Sequence, residues 1–231
     1  MRFIFKTTTI ICLFAVTVAG NGQNEDTGMQ LTIGADLVSS YIWRGMYQAG
    51  VSIQPSLSIS AFGLTLGCWG STDFSIFSKE IDFYFMYEVK GLSVGIGDYW
   101  WRGEGAKYFK NCGSHHIEAN LGYTFSDKFP LSLEVNTMLS GEEDKDDTGK
   151  KNYSTCILAS FPFSVKHVNC EAGIGVSPWE GMYTDKFGVF TITAKASKNL
   201  QLSTEYALPV FVELIISPAQ NNAFLVFGIQ F

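Results

Sequence analysis

The stretch LQLSTEYALPVFVELII at residues 200–216 alternates between apolar and polar side chains over most of its length. Apolar residues share one parity, whereas Gln201, Ser203, Glu205 and Glu213 share the other. Successive side chains of a β-strand point to opposite faces, so this spacing predicts a strand with one apolar and one polar face.

The same alternation recurs along the rest of the chain. A soluble β-sandwich also shows such alternation, so the connections between strands must decide the architecture. The pattern predicts twelve strands, at 29–43, 51–61, 64–72, 79–89, 92–102, 114–125, 131–140, 152–161, 165–176, 187–196, 200–216 and 223–231.

These connections alternate strictly in length. After even-numbered strands they are short, as at Phe62-Gly63 and Lys90-Gly91, and after odd-numbered strands they are longer and more polar, as at 103–113. Bacterial outer-membrane barrels have tight turns at one end and long loops at the other. We therefore predict an all-β fold, a transmembrane antiparallel up-and-down β-barrel of about 12 strands.

The composition excludes two classes of protein. Hydrophobic residues make up 46% of the 231 residues and charged residues only 16%, with a mean hydropathy of +0.12. A disordered chain needs low hydropathy and dense charge, so this chain is expected to fold. The formal net charge of −6 argues against nucleic acid as a partner, because phosphate binding needs a basic surface.

The amino terminus has the order of an export signal. A basic head precedes an apolar core at 7–19, and small residues follow. This core is too short for a membrane-spanning helix, which needs about 20 apolar residues. We expect residues 1–22 to be a signal peptide cut between 20 and 23, and residues 23–231 to form a single barrel domain. The predicted location is the outer membrane of a Gram-negative bacterium.

The carboxyl terminus is an alternating apolar strand that ends on Phe231, with Phe227 and Ile229 on the same parity. A terminal aromatic residue on such a strand resembles the signal read by the outer-membrane assembly machinery. Phe231 is therefore the predicted assembly signal. The expected partners are that machinery, outer-membrane lipid and lipopolysaccharide.

The parity opposite to the apolar one should line the lumen. An excess of acids there predicts an interior that attracts cations, with Glu118, Glu134 and Glu171 as candidates for the constriction. In the alternative, some acids are solvated at the rims or pair with loop lysines. The predicted lumen-lining acids are Asp36, Glu80, Asp82, Glu88, Glu118, Glu134, Glu171, Glu205 and Glu213, and the predicted lumen or rim bases are Arg44, Arg102 and Lys195.

Two Trp-Arg-Gly segments, at 43–45 and 101–103, close predicted strands at the loop end. Counting along the strands places Trp43 on the outer wall and Asp98 on the lipid face. A one-residue bulge at 95–97 would turn Asp98 inward and make the two segments equivalent. They are then either part of an interfacial aromatic belt or an arginine–acid bridge inside the rim.

No catalytic residue, metal site or cofactor is predicted. His115 and His116 are adjacent on a strand and point to opposite faces, so they cannot bind one ion together. An outward His115 resembles the histidine of barrel phospholipases, but Ser114 and Ser140 have inward parity, and we therefore expect no enzyme. The acidic loop at 141–151 is either a solvated extracellular loop or a binding site for a divalent cation or a partner.

Several segments carry a resemblance to a known family. DLVSSYIWRG at 36–45 is followed by IQPSL at 53–57 and KEID at 79–82. Together with the ending at 224–231, they make the chain similar to the TorF-type family of outer-membrane β-barrel proteins over most of its mature length. The resemblance implies an outer-membrane barrel and supplies no catalytic residue or substrate.

Three functions remain open at this point. The leading hypothesis is a small passive, porin-like channel for small hydrophilic solutes with a preference for cations. The alternative is a non-conducting structural or adhesion barrel, and the third is an outer-membrane hydrolase. A barrel of twelve strands is wider than the eight-stranded size that side chains can fill, and this width is compatible with each of the three.

Overall fold

The computed structural model describes residues 28–74, 79–102, 107–109, 114–126 and 128–231. The predicted signal peptide at 1–22 and the side chain of Arg102 lie outside the described residues. Among the residues it does describe, no helix is long and apolar enough to cross a membrane.

Twelve strands close into a barrel in the order β1-β14-β13-β12-β11-β10-β9-β8-β7-β6-β5-β4, and β2 and β3 form a separate hairpin. All neighbouring pairs are antiparallel, which confirms the predicted fold class. The strands are β1 Met29–Val38, β2 Tyr41–Trp43, β3 Met46–Ala49, β4 Ser52–Ala61, β5 Leu64–Asp73, β6 Lys79–Val89, β7 Leu92–Arg102, β8 His115–Thr124, β9 Ser132–Ser140, β10 Thr155–Val165, β11 Val168–Ser177, β12 Gly188–Gln201, β13 Ala207–Ser217 and β14 Asn222–Gln230.

The outer wall of the barrel is apolar. Outward side chains such as Leu31, Phe85 and Leu225 are between 46% and 70% exposed, far from any buried core. Closure pairs the first strand with the last, so no strand edge is left to face lipid. An apolar outer belt on a closed antiparallel barrel is the surface of a membrane-spanning barrel.

Tight turns at one end of the barrel follow from dipeptides that end in glycine. Phe62-Gly63 and Lys90-Gly91 both have positive φ at the two central residues, at 54° and 81° and at 51° and 83°. This is the type I′ geometry of two-residue hairpins, which favours glycine. We call this the turn end and the opposite one the loop end.

Two predicted turns are displaced along the chain. Strand β10 continues to Val165, so the turn after it lies at Lys166-His167 instead of 162–164. Strand β12 continues to Gln201, which pairs with Ala207 of β13, so the turn at 197–199 is also wrong. In β10 the outward apolar alternation itself continues through Phe161, Phe163 and Val165, which are 36%, 44% and 52% exposed.

Glu205 does not line the lumen, so that prediction is wrong. It lies in the turn at 202–206, where the amides of Leu202 and Ser203 donate hydrogen bonds to the carbonyl of Tyr206. Glu205 is exposed there, beyond the last paired residues of β12 and β13.

The predicted first strand is also wrong beyond Val38. The backbone of Ser39 donates to the carbonyl of Phe227 at 2.8 Å, and its hydroxyl accepts from the amide of Phe227 at 2.9 Å. These bonds tie the end of β1 to β14 while the chain bends away from the wall. Trp43 therefore lies on hairpin strand β2 and not on the outer face of the barrel.

No bulge interrupts β6 and β7. Their register runs unbroken from Lys79 opposite Arg102 to Val89 opposite Leu92. Asp98 therefore stays on the outer face, where both of its carboxylate oxygens lie 3.0 Å from Nδ1 of His115. The outward position of Asp98 expected from counting is therefore confirmed, and the alternative with a bulge and two equivalent Trp-Arg-Gly segments is wrong.

Candidate functional site

The hairpin of β2 and β3 projects into the barrel from the loop end and reverses at Arg44-Gly45. Both residues have positive φ, at 49° and 77°, which is again the type I′ turn. A Cβ at position 45 would lie 3.0 Å from the carbonyl oxygen of Phe190 on β12 and 3.1 Å from Oγ of Ser217 on β13. Both the backbone conformation and the close approach to the wall thus favour glycine at this position.

The side chains on the two faces of hairpin strand β2 pack against opposite sides of the bore. Tyr41 lies 5.4 Å from Trp69 of β5, and Trp43 lies 5.6 Å from Trp101 of β7, measured between ring centroids. Ile42 belongs to an apolar cluster with side chains of β13 and β14. In the closed order of strands, β13 and β14 stand opposite β7 and β8, so the hairpin spans the bore.

The tip of the hairpin is anchored by a buried ion pair. Nη1 and Nη2 of Arg44 donate to the two carboxylate oxygens of Glu118 on β8, at 2.5 and 2.8 Å. The side chains of Arg44 and Glu118 are only 3% and 0% exposed. Arg44 also donates to the hydroxyl of Tyr183 and stacks on Trp43 at 4.7 Å from the ring centroid. A bidentate arginine–carboxylate pair of this kind is both strong and directional.

Glu118 is held in turn by the wall behind it. It accepts hydrogen bonds at 3.0 Å from the hydroxyl of Tyr99 and from the amide of Asn120. The amide of Asn120 also donates to Asn136 of β9 at 2.8 Å. The charge of Glu118 is therefore already paired inside the barrel, so the sequence-derived prediction that it attracts cations at a constriction loses its basis.

The loop at 178–187 covers the anchor from the loop end. Tyr183 is 2% exposed and stacks on Phe190 with 4.9 Å between ring centroids. Burial raises the pKa of the Tyr183 phenol well above its usual range. The hydroxyl consequently stays neutral and accepts the hydrogen bond from Arg44.

A second cover at the loop end involves His116. Its ring stacks on Trp101 at 4.0 Å between centroids, and its Nε2 contacts a carboxylate oxygen of Glu143. A Cβ at Gly141 would lie 2.1 Å from Cδ2 of His116. Glycine at 141 is what allows the loop to close over the histidine ring.

The remaining predicted lumen acids lie on the inward parity of the barrel strands, although not all are buried. Asp82 and Glu134 are 1% and 6% exposed, whereas Glu88 is exposed at the turn end. The acids placed in this way are Asp36, Glu80, Asp82, Glu88, Glu134, Glu171 and Glu213.

Lys195 lies between two of these acids. It is in register with Glu171 on β11 and with Glu213 on β13, and its Nζ lies 4.1 Å from the ring centroid of Phe211. Asp82 and Glu134 lie on β6 and β9, where none of their register partners is basic. The acid excess is therefore concentrated on the wall away from Lys195.

A cavity of about 100 Å³ lies between the hairpin and the barrel wall. Aromatic rings of Tyr41, Trp43 and Trp69 form part of its lining. Four carboxylates, those of Asp82, Glu134, Glu171 and Glu213, complete its charged surface. The cavity thus combines aromatic faces with an excess of acidic over basic side chains.

Comparisons with known proteins concern the barrel as a whole. No family model and no curated protein matches the chain. A double mutant of the Rh. blastica porin is similar at 12% identity and a TM-score of 0.42, covering 89% of this chain and 73% of the porin. A structure described as "Asymmetric conductivity of engineered proteins" is similar at 11% identity and a TM-score of 0.44, covering 88% of this chain and 73% of that one. No site residue is transferred from either.

The outer wall carries no assembled catalytic triad among the described residues. Nδ1 of His115 contacts Asp98, and its Nε2 lies 3.1 Å from the carbonyl oxygen of Tyr108. Ser140 pairs with outward-facing Ile117 beyond a register shift, so its predicted inward parity is wrong. Even so, both ring nitrogens of His115 already contact groups other than a serine, namely Asp98 and the carbonyl oxygen of Tyr108. Within the described residues there is also no cluster of three metal-ligating side chains.

The acidic loop is organised by its own carboxylates. Asp144 is fully buried and accepts hydrogen bonds from the amides of Tyr153 and Ser154 at 3.1 and 2.9 Å. Asp146 accepts from the amide and hydroxyl of Thr148 and from the amide of Lys150. The hydrogen bond from the Thr148 side chain is the main cause that lowers the pKa of Asp146. These oxygens hold the loop together.

The inserted hairpin is the feature that sequence reasoning missed. Arg44-Gly45 repeats the pattern of Phe62-Gly63 and Lys90-Gly91, in which a residue followed by glycine forms a two-residue turn. Tyr41-Ile42-Trp43 before this dipeptide and Met46-Tyr47 after it are short, strand-forming runs. The turn signal was therefore present within the predicted first strand and its loop.

Proposed function

We propose that this chain is an outer-membrane channel for small cations whose bore is closed by the hairpin of β2 and β3. The observation that carries the proposal is the contact of one turn with nearly opposite walls. Arg44 reaches Glu118 on β8, while Gly45 lies against Ser217 on β13, five strands away in the ring of twelve. A hairpin in this position blocks a straight path through the bore.

The shape of the interior supports a channel more than a solid plug. Below the hairpin, lumen-facing side chains on β4 are small and half-buried, namely Ser56, Ser58 and Ser60. The cavity under the hairpin is further unfilled space, and the acids Asp82, Glu134, Glu171 and Glu213 form part of its lining.

A disulfide tests whether the hairpin controls conduction. A Cβ at position 45 would lie 3.3 Å from Cβ of Ser217, close to the disulfide range of about 3.5–4.5 Å. We expect a Gly45→Cys/Ser217→Cys variant, with the native cysteines replaced, to lose its channel openings in planar bilayers when oxidised and to regain them when reduced. The single Gly45→Cys variant carries the same backbone strain without a bridge and should not respond to the oxidant. Equal conductance of the oxidised and reduced double variant would show that the hairpin is not the gate.

The preference for cations has a separate test. Carboxylates in a low-dielectric lumen raise the local concentration of cations, and the reach of this field is about 8 Å at physiological ionic strength. We expect Asp82→Asn combined with Glu134→Gln to shift the reversal potential in a salt gradient towards non-selectivity. The matched double variant Arg44→Leu/Glu118→Leu should increase the open probability without that shift, because it removes one charge of each sign and leaves the net charge of the lumen unchanged. An anion preference in the parent protein would overturn this part of the proposal.

A non-conducting barrel is the second candidate, and it has its own observation. Side chains around the hairpin are as buried as those of a protein core, with Met138 and Cys156 at 0% and Phe190 at 1% exposed. The bilayer measurement separates the two candidates. Absence of current in the reduced variant, and also after removal of the hairpin, would establish the second.

The outer membrane is the proposed location. The apolar outer belt, the predicted export signal, the terminal Phe231 and the resemblance to TorF-type proteins support it. Fractionation of cells that express the full chain tests the location. Recovery in the outer-membrane fraction is expected, and a soluble periplasmic monomer would contradict it.

A further inference from the structure

The cavity beneath the hairpin contains polar atoms that the protein itself leaves unsatisfied. Among the described residues, Nε1 of Trp69, Oδ1 of Asp82, Nε of Arg44 and Oγ1 of Thr191 are buried without a hydrogen-bond partner. All four residues line the cavity. Buried polar atoms are nearly always paired, so a cluster of unpaired ones around one space points to a ligand with matching groups.

These side chains are rigidly placed. Trp69, Asp82 and Thr191 are 6%, 1% and 5% exposed, and the side chain of Arg44 is 3% exposed. Arg44 is fixed by its bidentate pair with Glu118, and the Trp69 ring is packed against Tyr41. A ligand would therefore meet preformed donors and acceptors without first ordering flexible side chains.

The charge of the lining selects the sign of the ligand. Asp82, Glu134, Glu171 and Glu213 face the cavity, whereas its lining base, Arg44, is already paired with Glu118. An anion would meet repulsion from these carboxylates. A cation would be attracted by them and by the faces of the lining aromatic rings, which bind ammonium groups.

The unpaired hydrogen-bond donors of the cavity indicate which group the ligand must carry besides its positive charge. The N–H groups of Trp69 and Arg44 need an acceptor, which a bare ammonium ion or a metal cation does not supply. A hydroxyl group next to the ammonium supplies it. A volume of about 100 Å³, at about 10–15 Å³ for each water, holds a ligand of fewer than about ten non-hydrogen atoms.

We infer that this cavity is a binding site for small hydroxylated organic amines in their cationic form. The inference rests on the proposed function for its biological meaning, since it names the class of solute that a cation channel of this kind would take. Binding itself does not depend on conduction. The ammonium would contact Asp82, and the hydroxyl would accept from Trp69 or Arg44.

Calorimetry on the full-length folded barrel in non-ionic detergent tests the site with three probes of similar size. Ethanolamine is the cation, ethylene glycol its neutral counterpart and glycolate its anionic one. We expect saturable binding of ethanolamine, at least tenfold tighter than that of the other two. No saturable binding of ethanolamine, or equal binding of all three probes, would overturn the inference.

Matched variants locate the site. Asp82→Asn should weaken ethanolamine binding at least tenfold, and Trp69→Phe, which keeps an aromatic ring but removes the N–H, should weaken it several-fold. Asp147→Asn removes one carboxylate from the exposed loop outside the barrel and should leave binding unchanged. Loss of affinity in Asp147→Asn equal to that in Asp82→Asn would mean non-specific charge attraction and would reject the site. A barrel that binds ethanolamine without conducting overturns the channel alone, and one that conducts without binding overturns this site alone.

Discussion

The two halves of the barrel interior are built on the same strands and yet are filled differently. At the loop end, Trp43, Met138 and Phe190 are buried by at least 92% and close around the hairpin. Towards the turn end, Ser56 and Ser58 of β4 face the lumen half-buried. A barrel of twelve strands is too wide to be filled by wall side chains of ordinary size. The loop-end half is closed because a segment of the chain between two wall strands supplies the missing volume.

Removal of the hairpin should have the largest effect. Without it, the loop-end half of the lumen would be left unfilled, as the turn-end half already is. We expect replacement of residues 40–50 by a short glycine–serine linker to produce sustained conductance in planar bilayers. Shortening the acidic loop at 142–151 by a similar length is the control and should leave the conductance of the parent protein nearly unchanged. If the bore stays closed after removal of the hairpin, wall side chains or other loops fill it, and the contrast between the halves is wrong.

Breaking the anchor should have the next largest effect. Arg44→Ala leaves Glu118 buried and unpaired, and removing one partner of a buried ion pair costs about 3–5 kcal/mol. We expect a loss of that size in the free energy of unfolding, measured by urea denaturation of the barrel in lipid vesicles.

The double variant Arg44→Leu/Glu118→Leu is the control for this prediction. It removes both charges and should recover most of the lost stability, because an apolar pair needs no compensation in a desolvated site. A double variant as unstable as Arg44→Ala would show that lost packing, and not an unpaired charge, causes the destabilisation.

A smaller effect is expected from Gly141→Ala. The added Cβ would lie 2.1 Å from the His116 ring, which is stacked on Trp101, so the ring or the loop must move. Overpacking of this kind costs about 1–3 kcal/mol. Thermal unfolding followed by circular dichroism measures it. Gly188→Ala is the matched control, since its Cβ would lie 3.6 Å from the nearest atom. An equal loss of stability in that variant would show that the contact with His116 is not the cause.

The smallest effect is local and depends on pH. The folded loop holds the pKa of Asp146 below its ordinary value of 3.8, chiefly through the Thr148 side chain. The stabilising hydrogen bonds are therefore present above that value and are lost as the pH falls through the lower, folded pKa. We expect the amide chemical shifts of Thr148 and Lys150 to change together in that acidic range. Asp146→Asn should abolish the transition, and its persistence in that variant would assign it to another group.

Much of the wall could be predicted from the sequence, because lipid imposes a simple rule on it. Outward side chains must be apolar along every strand, which leaves a period-two signal in stretches such as 131–140 and 223–231. Turn chemistry added the glycine dipeptides at 62–63 and 90–91. The signal failed where that rule does not act, as at Glu205 in a solvent-exposed turn and at 41–49 inside the bore.

By itself the sequence determined the barrel, its antiparallel order and the inward parity of acids such as Asp82 and Glu134, since each follows from local alternation and short turns. Only the tertiary structure decided that Arg44 crosses the bore to Glu118, 74 residues further along the chain. Alternation reports which face of a strand meets lipid, but it carries no information on how a loop fills the space that closure creates. That choice depends on the volume and hydrogen-bonding partners of side chains from many strands, which meet only after the barrel has closed.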